Sequence, residues 1–376
     1  MCVRILHTAD WHIGRLLNKH NLLEDQNYFL NWLIRVLKNE RIDVLMIAGD
    51  IYNNTSPSAE AVSLLDEFLT KVVLELKITT VMISGNHDSA EKLSFSSSML
   101  ESAGLIIAGG LKGLRQISFD SECGKVGITL LPYINPSMVK ERFPNDQISS
   151  FDLAHKKVAE KYIYGKLNYD VNILCAHGTY MDFKEKSLEF CDSEISIGGS
   201  DIVYLDKFSE FDYIALGHLH CPQKAGIKGR YSGSPLKYSV SEAPHKKQVV
   251  IVDIDKNKNL TQNFIMVEPL RDLRIIKCSF DEIMDLKTDD YVSVQLTDDK
   301  FIIDPHGRIR SVCPHILDLS YVNIKLDNPQ TAEIVTKKSP KELFSDFYFN
   351  TMGCKMNLME DQFLDNVMEE IESETD

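Results

Sequence analysis

The chain has 376 residues, a formal net charge of −14 and 44% hydrophobic residues, the make-up of an ordinary folded protein with room for one large core and one or two smaller modules. The acidic balance excludes a nucleic-acid binder that relies on an overall basic surface, and no run of about 18 apolar residues is present to span a membrane. The eight cysteines never fall in a Cys-x-x-Cys pair, which argues against a zinc ribbon and a disulfide framework and fits a reducing cytoplasm.

The opening Met1-Cys2-Val3-Arg4-Ile5-Leu6-His7 runs straight into a strand-like pattern without the features of a secretory leader. Val3–Thr8, Val44–Ala48, Thr80–Ser84, Asn172–Ala176 and Tyr213–Leu216 read as buried strands bounded by polar or glycine-containing turns. Leu22–Leu37 and Ala59–Leu76 carry apolar residues at i, i+3 and i+4, as amphipathic helices do. This alternation predicts an α/β layered domain over residues 1–269. From about Gln223 the pattern becomes hairpin-like, with Gln248–Ile254 as a clear strand.

A small α+β unit is expected over 270–327, with a helix around Asp281–Leu286 and strands at Tyr291–Leu296 and Phe301–Ile303. Residues 328–338 read as a linker. Ser339-Pro340-Lys341-Glu342 then supplies a helix start, with serine as N-cap, proline at N1 and glutamate at N3. Leu343, Phe344, Phe347 and Tyr348 follow, and with the acidic tail they make residues 339–376 a separate helical segment. Phe344, Phe347 and Tyr348 on a short helix after a linker would leave much apolar surface bare, which points to a protein partner.

The chemistry-bearing residues sit just past the strands. The first strand leads into Asp10-Trp11-His12, the second into Gly49-Asp50 and the third into Gly85-Asn86-His87-Asp88; later strands lead into His177-Gly178 and Gly217-His218-Leu219-His220. The carboxyl ends of strands in an open α/β sheet converge on one crevice, so these Asp, Asn and His side chains are aimed at one place. Carboxylates, imidazoles and an amide, without a thiolate, suit a hard or borderline dication such as manganese, iron or zinc. One carboxylate bridging two such ions would let them clamp the attacking and departing oxygens of a phosphate.

This set of motifs resembles the calcineurin-like metallophosphoesterases and, within them, the SbcD family of DNA-repair exonuclease subunits. Finer likenesses are His7-Thr8-Ala9-Asp10-Trp11-His12-Ile13-Gly14, Asp192-Ser193-Glu194 with Gly198-Gly199, and Tyr231-Ser232-Gly233-Ser234-Pro235-Leu236. The resemblance implies a four-layer β-sandwich flanked by helices, with a small α+β capping domain and a helical partner-binding segment. It implies a two-metal DNA nuclease, acting as a double-strand exonuclease and a single-strand or hairpin endonuclease, with two divalent ions, manganese above all. One metal would be held by Asp10, His12, Asp50 and His220, the other by Asp50, Asn86, His177 and His218. His87 would steady the phosphate or protonate the leaving sugar oxygen, oriented by Asp88.

Relatives from archaea and eukaryotes carry a histidine soon after Gly-Asp; here Asn53 stands near that place. Arg15, Asn18, Lys19 and His20, after the first motif, are candidates for sugar-phosphate contacts together with Asn53. Ser94–Ser98, Lys92, Arg230 and Lys237 are weaker ones. The partner implied is an SMC-type ATPase resembling SbcC, gripped by Leu343, Phe344, Phe347 and Tyr348, in a heterotetramer built on a homodimer and associated with the nucleoid. Other phosphodiesterase or phosphatase activities, or a scaffold role, are the alternatives. Gly49–Pro57 lacks the arginine that Ser/Thr phosphatases place there, and all seven ligands are present.

Overall fold

The computed structural model describes residues 2–122, 124–183, 188–191, 194 and 201–324, with Lys341, Phe344, Ser345, Tyr348, Met356, Glu360, Asp361 and Leu364. Contacts divide the chain into two compact units, Met1–Thr297 with Phe301–Tyr321, and Asp298–Lys300 with Val322–Asp376.

The first unit is built on two six-stranded sheets. In one, β1 (Val3–Thr8), β2 (Val44–Ala48), β3 (Thr79–Ile83) and β4 (Leu105–Ala108) run parallel. In the other, β5 (Arg115–Ser121), β6 (Gly124–Leu131), β7 (Val171–His177), β8 (Tyr213–Gly217), β9 (Gln223–Ala225) and β10 (Gly229–Tyr231) lie in the order β9-β10-β8-β7-β6-β5. The first sheet is completed by β11 (Gln248–Ile254) and β12 (Leu260–Met266), antiparallel to each other, with β11 antiparallel to β1.

Alternation along the strands sends one set of side chains between the sheets and the other outward. Ile5, Met46, Val81 and Val252 of the first sheet share a core with Ile128, Ile173 and Ala215 of the second. Leu6, Leu45 and Ile107 face the opposite way, onto Phe29 and Leu33 of α1 (Leu23–Asn39) and Leu65 and Phe68 of α2 (Ala59–Leu69). Leu131, Leu174 and Leu216 pack on the outer face of the second sheet with Val139 of α5 (Pro136–Arg142) and Val158 of α6 (Phe151–Tyr162). The order is therefore helix, sheet, sheet, helix, as expected. Short helices α3 (Ala90–Leu93) and α4 (Ser97–Glu101) follow β3.

Leu273–Cys278 (β13), Tyr291–Leu296 (β14) and Ile316–Tyr321 (β15) form a parallel sheet, connected through α7 (Phe280–Leu286) and α8 (Pro305–Arg310). Its own core holds Phe280, Ile283, Val294 and Ile309. The strand expected at Phe301–Ile303 does not form: Phe301 is 65% and Ile303 89% exposed. Asp304 caps α8 through Gly307 N and Pro305 takes the first helical position, so the chain turns into a helix there. The place beside β14 goes to Ile316–Tyr321.

In the second unit, Lys341, Phe344, Ser345 and Tyr348 are helical. The Tyr348 hydroxyl donates to Glu360 at 3.0 Å, and Leu364 is buried. Residues 328–338, Leu343 and Phe347 lie outside the described residues, as do Asp192-Ser193, Gly198-Gly199 and Ser339-Pro340.

Candidate metal centre

Five strand ends meet at one edge of the two sheets. Asp10 and His12 follow β1, Asp50 follows β2 and Asn86 to Asp88 follow β3, all from the first sheet; His177 ends β7, while His218 and His220 follow β8 of the second. Backbone bonds continue the β1–β2 pairing past the strands, from Asp10 N to Gly49 O (3.1 Å) and from His12 N to Asp50 O (3.0 Å). Asp10 (φ 57°), His12 (φ 44°), Asp50 (φ 50°) and His218 (φ 107°) all have positive φ, a strain that persists only where the surroundings enforce it and that gathers at functional sites. A Cβ on Gly49 would overlap the His177 ring and one on Gly85 would overlap the Asp50 carboxylate, so both approaches need glycine.

The ligand atoms fall into two groups that share Asp50: His12, Asp50 and His87, and Asp50, His177 and His218. His12 Nε2 is 3.6 Å and His177 Nε2 3.5 Å from the same Asp50 oxygen. Asn86 Oδ1 lies 3.1 Å from both His177 Nε2 and His218 Nδ1. His12 Nε2 and His220 Nε2 face each other at 3.1 Å. Asp10 uses both carboxylate oxygens to accept the His218 backbone N–H, at 2.9 and 3.1 Å.

The donor set fits two dications. His220 Nδ1 is tied to Glu242 at 3.0 Å and His177 Nδ1 to Ala48 O at 2.8 Å, so each ring presents Nε2 to the centre. Burial alone would raise the Asp50 pKa, but His177, His12 and His87 hold its carboxyl well below the usual carboxylate range. Burial opposes protonation of His177, yet Asp50 and Asp10 push it up to about 9. The Asp50 carboxylate and His177 Nε2 thus face the point that a cation would occupy. The centre opens into a cleft of ≈ 330 Å³ lined also by Arg15, His87, Tyr133 and Asp201.

His87 donates its backbone N–H to Asp50 Oδ1 (2.9 Å), and its Nδ1 lies 3.0 Å from Asn53 O. Asp88 does not pair with that ring. Its buried carboxylate accepts the N–H groups of Gly85 (2.9 Å), Tyr52 (2.9 Å) and Ile51 (3.1 Å), bracketing the two loops that carry Asp50 and Asn86.

Of the candidates for DNA contacts, Arg15 lies over the Tyr238 ring at 5.1 Å and reaches Asn53 Oδ1 at 3.5 Å, at the cleft. Asn18, Lys19 and His20 belong to a tight hairpin that leans on the parallel sheet: Asn18 Nδ2 donates to Leu317 O (3.4 Å), and the His20 ring meets those of Tyr291 and His315. Lys92 is held by Thr55 O and Ser56, Arg230 by Phe264, and Lys237 by Ala243 O and Leu273 O.

Sequence reasoning missed the residues that brace the ligands. Glu242 takes the His220 ring on one oxygen and Lys247 Nζ on the other, at 2.5 Å. Glu194 accepts the His220 backbone N–H. Gln26 of α1 donates to His12 O (2.8 Å) and accepts from Gly14 N (2.9 Å). Only Glu194 stood in a noted motif; for the others, partners so distant in the chain leave no local signal.

Residues 3–222 match the family model described as calcineurin-like phosphoesterase, and residues 269–351 the one described as type 5 capsule protein repressor C-terminal domain. The chain is 35% identical over 358 residues to the D subunit of the nuclease SbcCD of Staphylococcus epidermidis, covering 93% of each. Among solved structures, TT1561 of Thermus thermophilus matches with a TM-score of 0.40 and 11% identity, over 70% of this chain and 99% of that one.

Proposed function

The chain belongs to the calcineurin-like phosphoesterases, and from that premise we propose that it is the DNA nuclease subunit of an ATPase-gated complex, cutting double-stranded ends and hairpins. The observation that carries this reading is the pair of ligand groups meeting at Asp50. Asp10, His12, Asp50 and His220 would hold one ion, and Asp50, Asn86, His177 and His218 the other, with manganese as the proposed occupant among the hard or borderline dications that oxygen and imidazole donors suit. When bound, the cations supply Lewis-acid charge at the phosphate oxygens and lower the pKa of water at the site. His87, fixed through Nδ1, keeps its other nitrogen for the leaving sugar oxygen; Arg15 and Asn53 face a phosphate at the cleft mouth.

In this reading residues 1–269 form the nuclease domain, 270–327 a capping domain, 328–338 a linker and 339–376 the segment for the partner. The likeness to the D subunit of an SbcCD nuclease supports an SbcC-like SMC-type ATPase as that partner, docked on Leu343, Phe344, Phe347 and Tyr348. A partner with a basic DNA surface would offset the net charge of −14. A homodimer within a heterotetramer and a place at the nucleoid follow from the same likeness. No helix among the described residues is long and apolar enough to cross a membrane.

The test is cleavage of end-labelled linear and hairpin DNA with manganese, with and without the ATPase, beside a phosphopeptide control. Asp50→Ala should abolish DNA cleavage while the circular dichroism spectrum stays native. Undiminished cleavage by that variant, or preference for the phosphopeptide, sinks the proposal.

A further inference from the structure

A second group of metal-ligating side chains lies behind the dinuclear centre. Glu189 and Cys191 shortly precede Glu194 in the chain, Cys221 follows His220 directly, and His245 follows the short turn Val240–Glu242. One donor atom each of Glu189, Cys221 and His245 lie within 4.8 Å of one another. The Cys221 thiol donates to Glu189 Oε2 at 3.0 Å, and Cys191 Sγ is 4.0 Å from His245 Nδ1. Both thiols are buried, whereas His245 is half-buried and Glu189 exposed, so the group opens to solvent on one side. Thirty positions separate the two cysteines in the chain, and no ribbon spacing announces them; the fold brings them together.

We propose that Glu189, Cys221 and His245, joined by Cys191 from its place between His245 and the His220–Glu242 pair, form a mononuclear zinc site beside the phosphoesterase centre. Two thiolates, an imidazole and a carboxylate make a tetrahedral set that selects zinc. The dinuclear ligands offer no sulfur and tolerate harder ions, so one protein can sort two metals. The scaffold of the site is already fixed. Gln223 holds the Glu189 backbone on both sides, accepting its N–H at 2.9 Å and donating to its carbonyl at 2.8 Å. Glu194 takes the Cys191 N–H at 2.8 Å. Zinc would displace the Cys221 thiol proton, now donated to Glu189, and the Cys191 thiol proton, releasing both to solvent. Because Glu194 also accepts the His220 backbone N–H, the ion would tie Glu189, Cys191 and Glu194 to the strand end that bears His218 and His220.

Cobalt is the probe, since only a sulfur-bound ion gives a thiolate-to-cobalt charge-transfer band, which nitrogen and oxygen ligands cannot produce. The full chain, stripped by a chelator, is titrated with cobalt alone and then with zinc. A near-ultraviolet charge-transfer band that saturates, is bleached by zinc, is weakened in Cys221→Ser and is lost in the Cys191→Ser, Cys221→Ser double variant supports the site. His245→Ala, which changes a half-exposed ring, covers the case in which the cysteine variant does not fold; it should weaken cobalt binding at least about ten-fold. The proposal is overturned by the absence of any thiolate band at saturation, by an undiminished band in the Cys191→Ser, Cys221→Ser double variant, or by unchanged cobalt affinity in His245→Ala. Asp50→Ala should keep the band, so failure of the nuclease reading and failure of this one are separable.

Discussion

Glu242 Oε1 lies 3.0 Å from His220 Nδ1, and this contact decides which ring nitrogen His220 offers to the centre. The glutamate also neutralises the buried ammonium of Lys247. Glu242→Gln keeps an oxygen for the ring but loses the charge, and is expected to weaken manganese binding about 10–100-fold. Glu242→Ala additionally leaves Lys247 buried and unpaired, at a cost of about 3–5 kcal/mol in urea unfolding. Metal titration and unfolding curves on the two variants separate the effects. A Gln variant with native manganese affinity would remove the role given to this contact.

His87 and Asp88 are neighbours with different expected behaviour. His87→Ala should lower turnover about 10²–10⁴-fold while stability moves by no more than about 0.5 kcal/mol. Asp88→Ala removes the acceptor of three backbone N–H groups, and each hydrogen bond to a charged group contributes about 1.5–3 kcal/mol. It should therefore be destabilised by at least about 3 kcal/mol and bind metal poorly. An Asp88→Ala protein that is stable and metal-replete but inactive would instead restore Asp88 as the orienting partner of His87.

Stability should fall on mild acidification because of His155. Its ring is buried, Nδ1 faces Phe151 O at 2.9 Å and Nε2 has no partner among the described residues. Burial lowers its pKa from 6.5 to about 4. The unfolded chain therefore binds the extra proton between these two values, and stability rises with pH through that window. Between pH 7 and pH 5 the loss due to this group is about 2 kcal/mol. His155→Phe should flatten that part of the profile in denaturant titrations. An unchanged slope would mean that other groups carry it.

Arg15 sits at the cleft with its guanidinium on Tyr238. If it meets a phosphate, Arg15→Ala weakens DNA binding evenly across sequences and reduces the salt slope of log K by about 1. Lys19→Ala, on the hairpin that leans away toward the parallel sheet, should change the slope less. Fluorescence anisotropy at several salt concentrations measures both, and equal slopes for the two variants would contradict the placement.

Deleting Ser339–Asp376 should spare basal cleavage and abolish capture of the ATPase. Co-purification of the truncated chain with that partner would show that the contact lies elsewhere.

Local pattern was enough to read much of this molecule from its sequence. Val3–Thr8, Val44–Ala48 and Gln248–Ile254 are strands with the expected bounds, because a run of buried apolar residues between turns is a short-range signal. Asp10, Asp50, Asn86, His177 and His218 could be placed at strand ends for the same reason, and strand ends in a layered sheet meet. The apolar period of α1 and α2 likewise named the faces that cover the sheet.

What only the tertiary structure decided is which groups those side chains bond to. Asp88 serves backbone amides rather than the ring beside it, since the Asp50 loop closes over it. His20 and Asn18 turn toward β14 and β15, away from the cleft where their position after the first motif had put them. Phe301–Ile303 lost its strand to Ile316–Tyr321 because the edge of a sheet can pair with only one segment. Glu242 and Gln26 brace ligands 22 and 14 positions away, and Cys221 finds Glu189 across 32. Hydrogen bonds form wherever folding brings a donor and an acceptor within about 3 Å, and that proximity is set by how sheets and loops close, not by any period along the chain.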